Sequence, residues 1–206
     1  MFMINKKWFA PILPYFAVWA GLFFFKNAWC TLAGFHIAIL FVIAITRPDI
    51  PIRILFRSQY PKWILFSVLF CSTSGLGLYF FWNMFGVDHD LPEQLRLIGL
   101  YSTSWFPFIT YFSLVNPFIE EYFWRGMLGK VTRKLYIGDL SYAGYHAMIL
   151  WGRTNLLSTL FAVMILVSVG WLWRQLYHKD QGLLAAVLGH MAADFSILLT
   201  IYQMTN

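Results

Sequence analysis

Two adjacent glutamates, Glu120 and Glu121, are followed by Arg125, one helical turn beyond the second. On a helix, an acid four residues before a base is the favourable orientation for an ion pair on one face, so Arg125 compensates Glu121. Glu120 is left without a cation of its own and is the carboxylate suited to take a proton from water. Further along, Tyr142 precedes His146 by one turn, and His190 precedes Asp194 by the same interval. Each of these pairs therefore also shares a helix face. Carboxylates and histidines together supply a proton acceptor and hydrogen-bond donors, which general acid–base hydrolysis requires. The set Glu120, His146, His190 and Asp194 could also hold Zn²⁺.

These groups are carried by membrane helices. Of 206 residues, 60% are hydrophobic, 20% aromatic and only 12% charged, and the mean hydropathy is +0.63. Soluble domains are roughly half apolar and a quarter charged, so a water-soluble domain is excluded. Disorder is excluded too, because 21 phenylalanines provide ample surface to bury. Two cysteines make no disulfide framework and have no zinc-ligand spacing. A bilayer core of about 30 Å needs about 20 helical residues, and apolar runs of suitable length cover 8–25, 28–45, 63–85, 102–129, 140–151, 155–173 and 183–202. The fold expected is all-α, a polytopic bundle of about seven transmembrane helices forming a single membrane domain over 1–206. Residues 1–97 supply N-terminal helices and a connector, and 98–206 supply the helices that carry the chemistry.

The net charge of +6 follows from orientation. With the N-terminus cytoplasmic, the inside segments hold Lys6, Lys7, Arg47, Arg53, Arg57, Lys62, Lys130, Arg133, Lys134, Arg174 and Lys179, and the outside segments hold Lys26, Arg96 and Arg153. This is the positive-inside pattern of an N-in, C-out protein. The basic residues form no stripe with interleaved aromatics, so no nucleic-acid partner is expected. Lys26 and Asn27 close the first span with no small-residue cleavage site after it, which predicts an uncleaved helix. The Pro-punctuated, basic stretch 47–62 is expected to lie along the cytoplasmic surface. Trp8, Trp63, Trp82, Trp151 and Trp173 fall near predicted interfaces as belt anchors.

Ionisable groups within spans are costly and are functional candidates by default. At 1.5 Å per residue, Glu120 stands about 15 Å above the cytoplasmic end of its helix, His146 about 10 Å and His190 about 12 Å. Three helices thus bring polar groups to a similar depth. Asn116 and Pro117, one turn before Glu120, are expected to loosen the helix there, as is tolerated where backbone lines a cavity. His36 has no partner at a recognisable spacing and reads as structural.

The string Glu120-Glu121-Tyr122-Phe123-Trp124-Arg125 resembles the EExxxR motif of the CPBP family, the CAAX proteases and bacteriocin-processing enzymes also called Abi proteins. Tyr142 with His146, and His190 with Asp194, match that family's second and third motifs in order and spacing. The resemblance covers about Ser113 to Ser196. It implies a glutamic-type intramembrane endopeptidase with no cofactor and no metal, in which Glu120 and His146 activate water while His190 and the residue at 194 stabilise the oxyanion. Arg125 and Tyr142 are supporting residues, and Glu121 tunes or assists Glu120. Position 194 departs from the eukaryotic pattern, where Asn is expected. An ionised Asp cannot donate to an oxyanion, so Asp194 must be protonated or must orient His190, and the second role is favoured.

Two other classes compete with the peptidase: a zinc-dependent membrane hydrolase using the same residues, and a non-catalytic immunity or scaffold protein in which they form a polar network. No paired inverted halves of a transporter are evident. The partners expected are the bilayer and a membrane-associated peptide or protein substrate: a prenylated CAAX tail, a bacteriocin leader or a sorting tail. An uncleaved N-in start fits a bacterial cytoplasmic membrane, where prenyl tails would be unusual substrates.

Overall fold

A computed structural model describes residues 9–206. Among them every regular element is helical, and the β-type pairing is confined to one isolated bridge between Val87 and Thr154. The helices are α1 (Ile12–Trp19, continued by a π-helical turn Ala20–Phe24), α2 (Ala28–Thr46), α3 (Pro61–Phe80), α4 (Leu91–Leu97), α5 (Ser102–Glu121, continued by a π-helical turn Tyr122–Met127), α6 (Ile137–Leu150), α7 (Leu156–Asp180) and α8 (Leu184–Thr205). A 3-10 turn, Ile52–Phe56, interrupts the connector between α2 and α3.

Four of these, α2, α3, α7 and α8, are long and apolar enough to cross a membrane. The remaining expected spans also coincide with helices but fall short on length or apolarity. The described part of α1 with its π turn, Ile12–Phe24, is a shorter apolar helix, and the expected start of that span at Trp8, with Lys6 and Lys7, lies outside the described residues. Helix α6 has 14 residues, about 21 Å by the helical rise. Helix α5 is long enough, but Asn116, Pro117, Glu120 and Glu121 lower its hydropathy, and all four are buried against protein. The outer surface is apolar, with residues such as Phe41, Leu65, Leu69, Leu157 and Met164 exposed, as lipid contact demands.

Local signals in the sequence set the helix ends. Asn27 accepts from Cys30 N and Asn155 from Ser158 N, both at 2.9 Å, capping α2 and α7. Asp180, at the end of α7, accepts from Gln59 N at 2.9 Å and Tyr60 N at 2.7 Å, tying α7 to the start of α3. Pro61 opens α3, where its missing N–H costs nothing. Helices α3 and α8 pack along one another. At Gly75 a Cβ would collide with the Ser196 backbone, so the absence of a side chain is what lets these two helices approach.

The connector rests on this bundle. Leu55 packs with Tyr122, Leu183 and Val187, and the Tyr122 hydroxyl donates to Ile50 O at 2.6 Å. Beyond Tyr122, the chain between α5 and α6 is closed by a buried ion pair. Arg174 donates from Nε and Nη2 to the two Asp139 oxygens at 2.8 and 2.7 Å, and its Nη1 and Nη2 also reach the carbonyls of Lys130, Thr132 and Lys134. The guanidinium thus replaces water for three loop carbonyls at once, although the residue reads from sequence as a surface charge.

Breaking a buried pair leaves its other half uncompensated, at a cost of about 3–5 kcal/mol. Thermal unfolding in detergent should therefore show a large loss for Arg174→Ala. Arg174→Lys should recover little of it, since an ammonium cannot reproduce the planar fork.

Candidate active site

The site is built where α5 gives way to its π turn. Pro107 and Pro117 both lie inside α5. The helix runs through Pro117 without a break, and the irregularity expected there appears one turn later, at Tyr122–Met127, where Leu128 N donates to Phe123 O at 2.9 Å. Such i→i+5 turns are frequent at functional sites. This one follows Glu121 directly and leaves the Glu121–Arg125 spacing intact.

Glu121 is 0% exposed and Glu120 1%. Glu121 Oε1 lies 3.1 Å from Arg125 Nη1 and 2.8 Å from His190 Nδ1. The expected ion pair is present, but its angle is not that of a hydrogen bond, and neither Arg125 Nη has an aligned acceptor. The guanidinium lies instead 3.8 Å from the centre of the Tyr142 ring and 5.1 Å from that of Trp173, so cation–π contact supplements the carboxylate. Gly170 makes room for this stack, since a Cβ there would come within 2.9 Å of Tyr142 and 3.1 Å of Arg125. Glu121 Oε2 is buried with no hydrogen-bond partner.

Glu120 is solvated by neutral donors. Tyr145 OH donates to Oε1 at 2.7 Å and Trp124 Nε1 to Oε2 at 3.0 Å. Each oxygen keeps a further lone pair for another donor. His146 stacks on the same Tyr145, with centroids 4.0 Å apart, and its Nδ1 lies 3.2 Å from Tyr142 O. A carbonyl only accepts, so Nδ1 carries the proton and a neutral ring offers its lone pair at Nε2. Tyr145 therefore touches both Glu120 and His146.

His190 is buried flat against Trp173, with centroids 4.8 Å apart. Trp173 is a core residue at this site and not the interfacial anchor expected from its place in the sequence. His190 Nε2 stands 3.5 Å from Asp194 Oδ1, a looser contact than the 2.8 Å one at Nδ1. Asp194 Oδ2 receives Asn116 Nδ2 at 3.4 Å, and Asn116 Oδ1 faces His36 Nε2 at 3.0 Å. His36 is thus linked to the site through Asn116.

The structure places all the expected residues in one region: Glu120, Glu121 and Arg125 from α5 and its π turn, Tyr142 and His146 from α6, and His190 and Asp194 from α8. It adds Tyr145, Trp124, Trp173, Asn116 and His36. A trace of two of these was available, since Trp124 falls one turn after Glu120 and Tyr145 adjoins His146; the others are set by tertiary packing. Among the described residues, no grouping of three or more His, Cys, Asp or Glu is arranged to hold a metal ion.

Fold and site together define an all-helical integral membrane protein with a buried acid–histidine centre. Residues 102–196 match the family described as Type II CAAX prenyl endopeptidase Rce1-like. Through this segment the chain resembles the CAAX protease (CPBP) family. Comparison with curated proteins and with solved structures gives no match.

The Tyr145 hydroxyl is a donor to a buried carboxylate, an interaction worth about 1.5–3 kcal/mol when the acceptor is charged. Tyr145→Phe should lower stability by an amount in this range. The same change made in a Glu120→Ala background should cost distinctly less, and a double-mutant cycle of unfolding free energies measures the difference.

Proposed function

We propose that this chain hydrolyses a peptide bond in a membrane-associated peptide or protein tail, using water activated by Glu120 and His146. The observation that carries this reading is the contrast between the two glutamates. Glu121 is committed to Arg125 and His190, whereas Glu120 is held only by neutral donors and has lone pairs to spare.

In this reaction, water sits between Glu120 and His146 Nε2. Glu120 takes one proton as the oxygen attacks the scissile carbonyl, and His190 Nε2–H donates to the oxyanion that forms. Glu120 then returns the proton to the leaving amine as the C–N bond breaks. Asp194 orients His190, because its two oxygens face donors and leave it an acceptor. Tyr142 and Arg125 support Glu121, whose free Oε2 would let it assist in holding water. His146 and Asp194 are only partly buried, unlike the two glutamates and His190. Substrate would therefore approach across the faces of α6 and α8.

The charge distribution supports about seven crossings in an N-in, C-out arrangement; the motifs make 98–206 the catalytic half, and the N-in start favours a bacterial cytoplasmic membrane. Substrate choice among prenylated CAAX tails, leader peptides and sorting tails follows from what that membrane contains.

Loss of a general base costs about 10²–10⁴-fold in rate, so Glu120→Gln should fold, insert and lose cleavage by that order. Comparing the membrane peptidome of cells making the wild-type or Glu120→Gln protein should reveal an accumulating precursor, and the absence of one would sink the proposal. Cleavage of that precursor by purified protein should be insensitive to chelators. For topology, a cysteine placed at Gln59 should be labelled from the cytoplasmic side and one at Glu93 from the opposite side.

A further inference from the structure

Asn116 connects Asp194 to a helix that takes no part in the proposed reaction. A carboxamide has one donating and one accepting end, and here the donating Nδ2 faces Asp194 Oδ2 at 3.4 Å while the accepting Oδ1 faces His36 Nε2 at 3.0 Å. His36 Nε2 must then carry a proton. In a neutral ring Nδ1 is the acceptor, and Tyr111 OH lies 3.2 Å from it as the donor. Donation therefore runs in one direction, from Tyr111 on α5 to His36 on α2, back to Asn116 on α5, and on to Asp194 on α8. His36 is 3% exposed and Asn116 1%, so no solvent competes for the bond between them.

We infer that His36 is a positioning residue, which holds Asn116 so that Asp194 is drawn back from His190 and leaves the His190 Nε2 proton free for the oxyanion. The 3.5 Å separation at Nε2, against 2.8 Å at Nδ1, is the geometric mark of this restraint. Without His36, the Asn116 carboxamide could flip and present its oxygen to Asp194, and Asp194 would close on His190 Nε2. The inference rests on the peptidase reading, in which His190 is the oxyanion donor.

Magic-angle-spinning ¹⁵N spectra of the full chain, labelled at histidine and reconstituted in liposomes, test the relay without a substrate. His36 should be neutral with its proton on Nε2. Tyr111→Phe, which removes one hydroxyl from a ring that is 37% exposed, should displace the resonances of His190 as well as those of His36. A proton on His36 Nδ1, or His190 resonances that do not respond, overturns the inference.

Turnover of a quenched-fluorescent prenylated CAAX peptide tests the consequence. His36→Leu should lower kcat about tenfold with KM unchanged, as expected for one hydrogen bond lost from a buried path. His36→Gln, whose amide N–H can reach Asn116, should recover most of that loss. Equal impairment of the two variants, or a fall in melting temperature with kcat unchanged, overturns the role. Glu120→Gln run alongside separates the two ideas: turnover that survives it defeats the peptidase reading, and the ¹⁵N spectra still decide whether the relay exists.

Discussion

Two neighbouring carboxylates are buried inside a lipid-embedded bundle, and the surrounding side chains are arranged to satisfy them. Charge in such a place must be paired and hydrogen-bonded or it destabilises the fold. The two acids meet this requirement differently. Glu121 takes Arg125 and His190 on one oxygen, whereas Glu120 takes a phenol and an indole, one on each oxygen. The first arrangement sets a carboxylate against a guanidinium and an imidazole, and the second surrounds one with neutral donors. Arg125 goes to Glu121, and its guanidinium lies 3.8 Å from the Tyr142 ring centre and 5.1 Å from that of Trp173.

This accounts for the aromatic content near the site. Trp124 and Tyr145 act as donors, Tyr142 and Trp173 as π faces for a cation, and Trp173 also as the wall against which His190 lies. These rings cover the ion centre with groups that carry no formal charge and exclude water, which strengthens each electrostatic contact within. The tight packing they need explains the bare backbone at Gly170 and the π turn after Glu121. Both bring side chains together at distances that a regular helix bearing larger residues would not permit.

Sequence made the membrane setting, the helices and the three paired motifs legible, because hydropathy and i,i+4 spacing are local properties. Helices α2, α3, α7 and α8 start within two residues of where the apolar runs place them. What could not be read locally is what depends on which helix stands beside which. Arg174 counted as an inside surface charge, yet it is buried on Asp139. Trp173 looked interfacial and lies in the core, and His36 seemed unpartnered because Asn116 and Tyr111 are 80 and 75 residues away. Pro117 is where the sequence predicts irregularity, whereas the π turn forms beyond the glutamates, where no proline or glycine pair announces it.

The choice of Asp at position 194 follows from the same accounting of donors. An asparagine there would carry its own N–H and could share in stabilising an oxyanion, as the family pattern implies for members that have it. A carboxylate can only accept, so under the proposed reaction the donation would fall to His190. His190 has one nitrogen locked to Glu121 and the other shared loosely with Asp194. A substrate carbonyl developing negative charge would compete with Asp194 for a single proton at Nε2, and it competes best if Asp194 is already engaged elsewhere. Asn116 provides that engagement on Oδ2. Under the proposed reaction the departure at 194 is thereby coupled to the donor at 116: the carboxylate would be compatible with oxyanion chemistry only while a neighbouring amide holds it back.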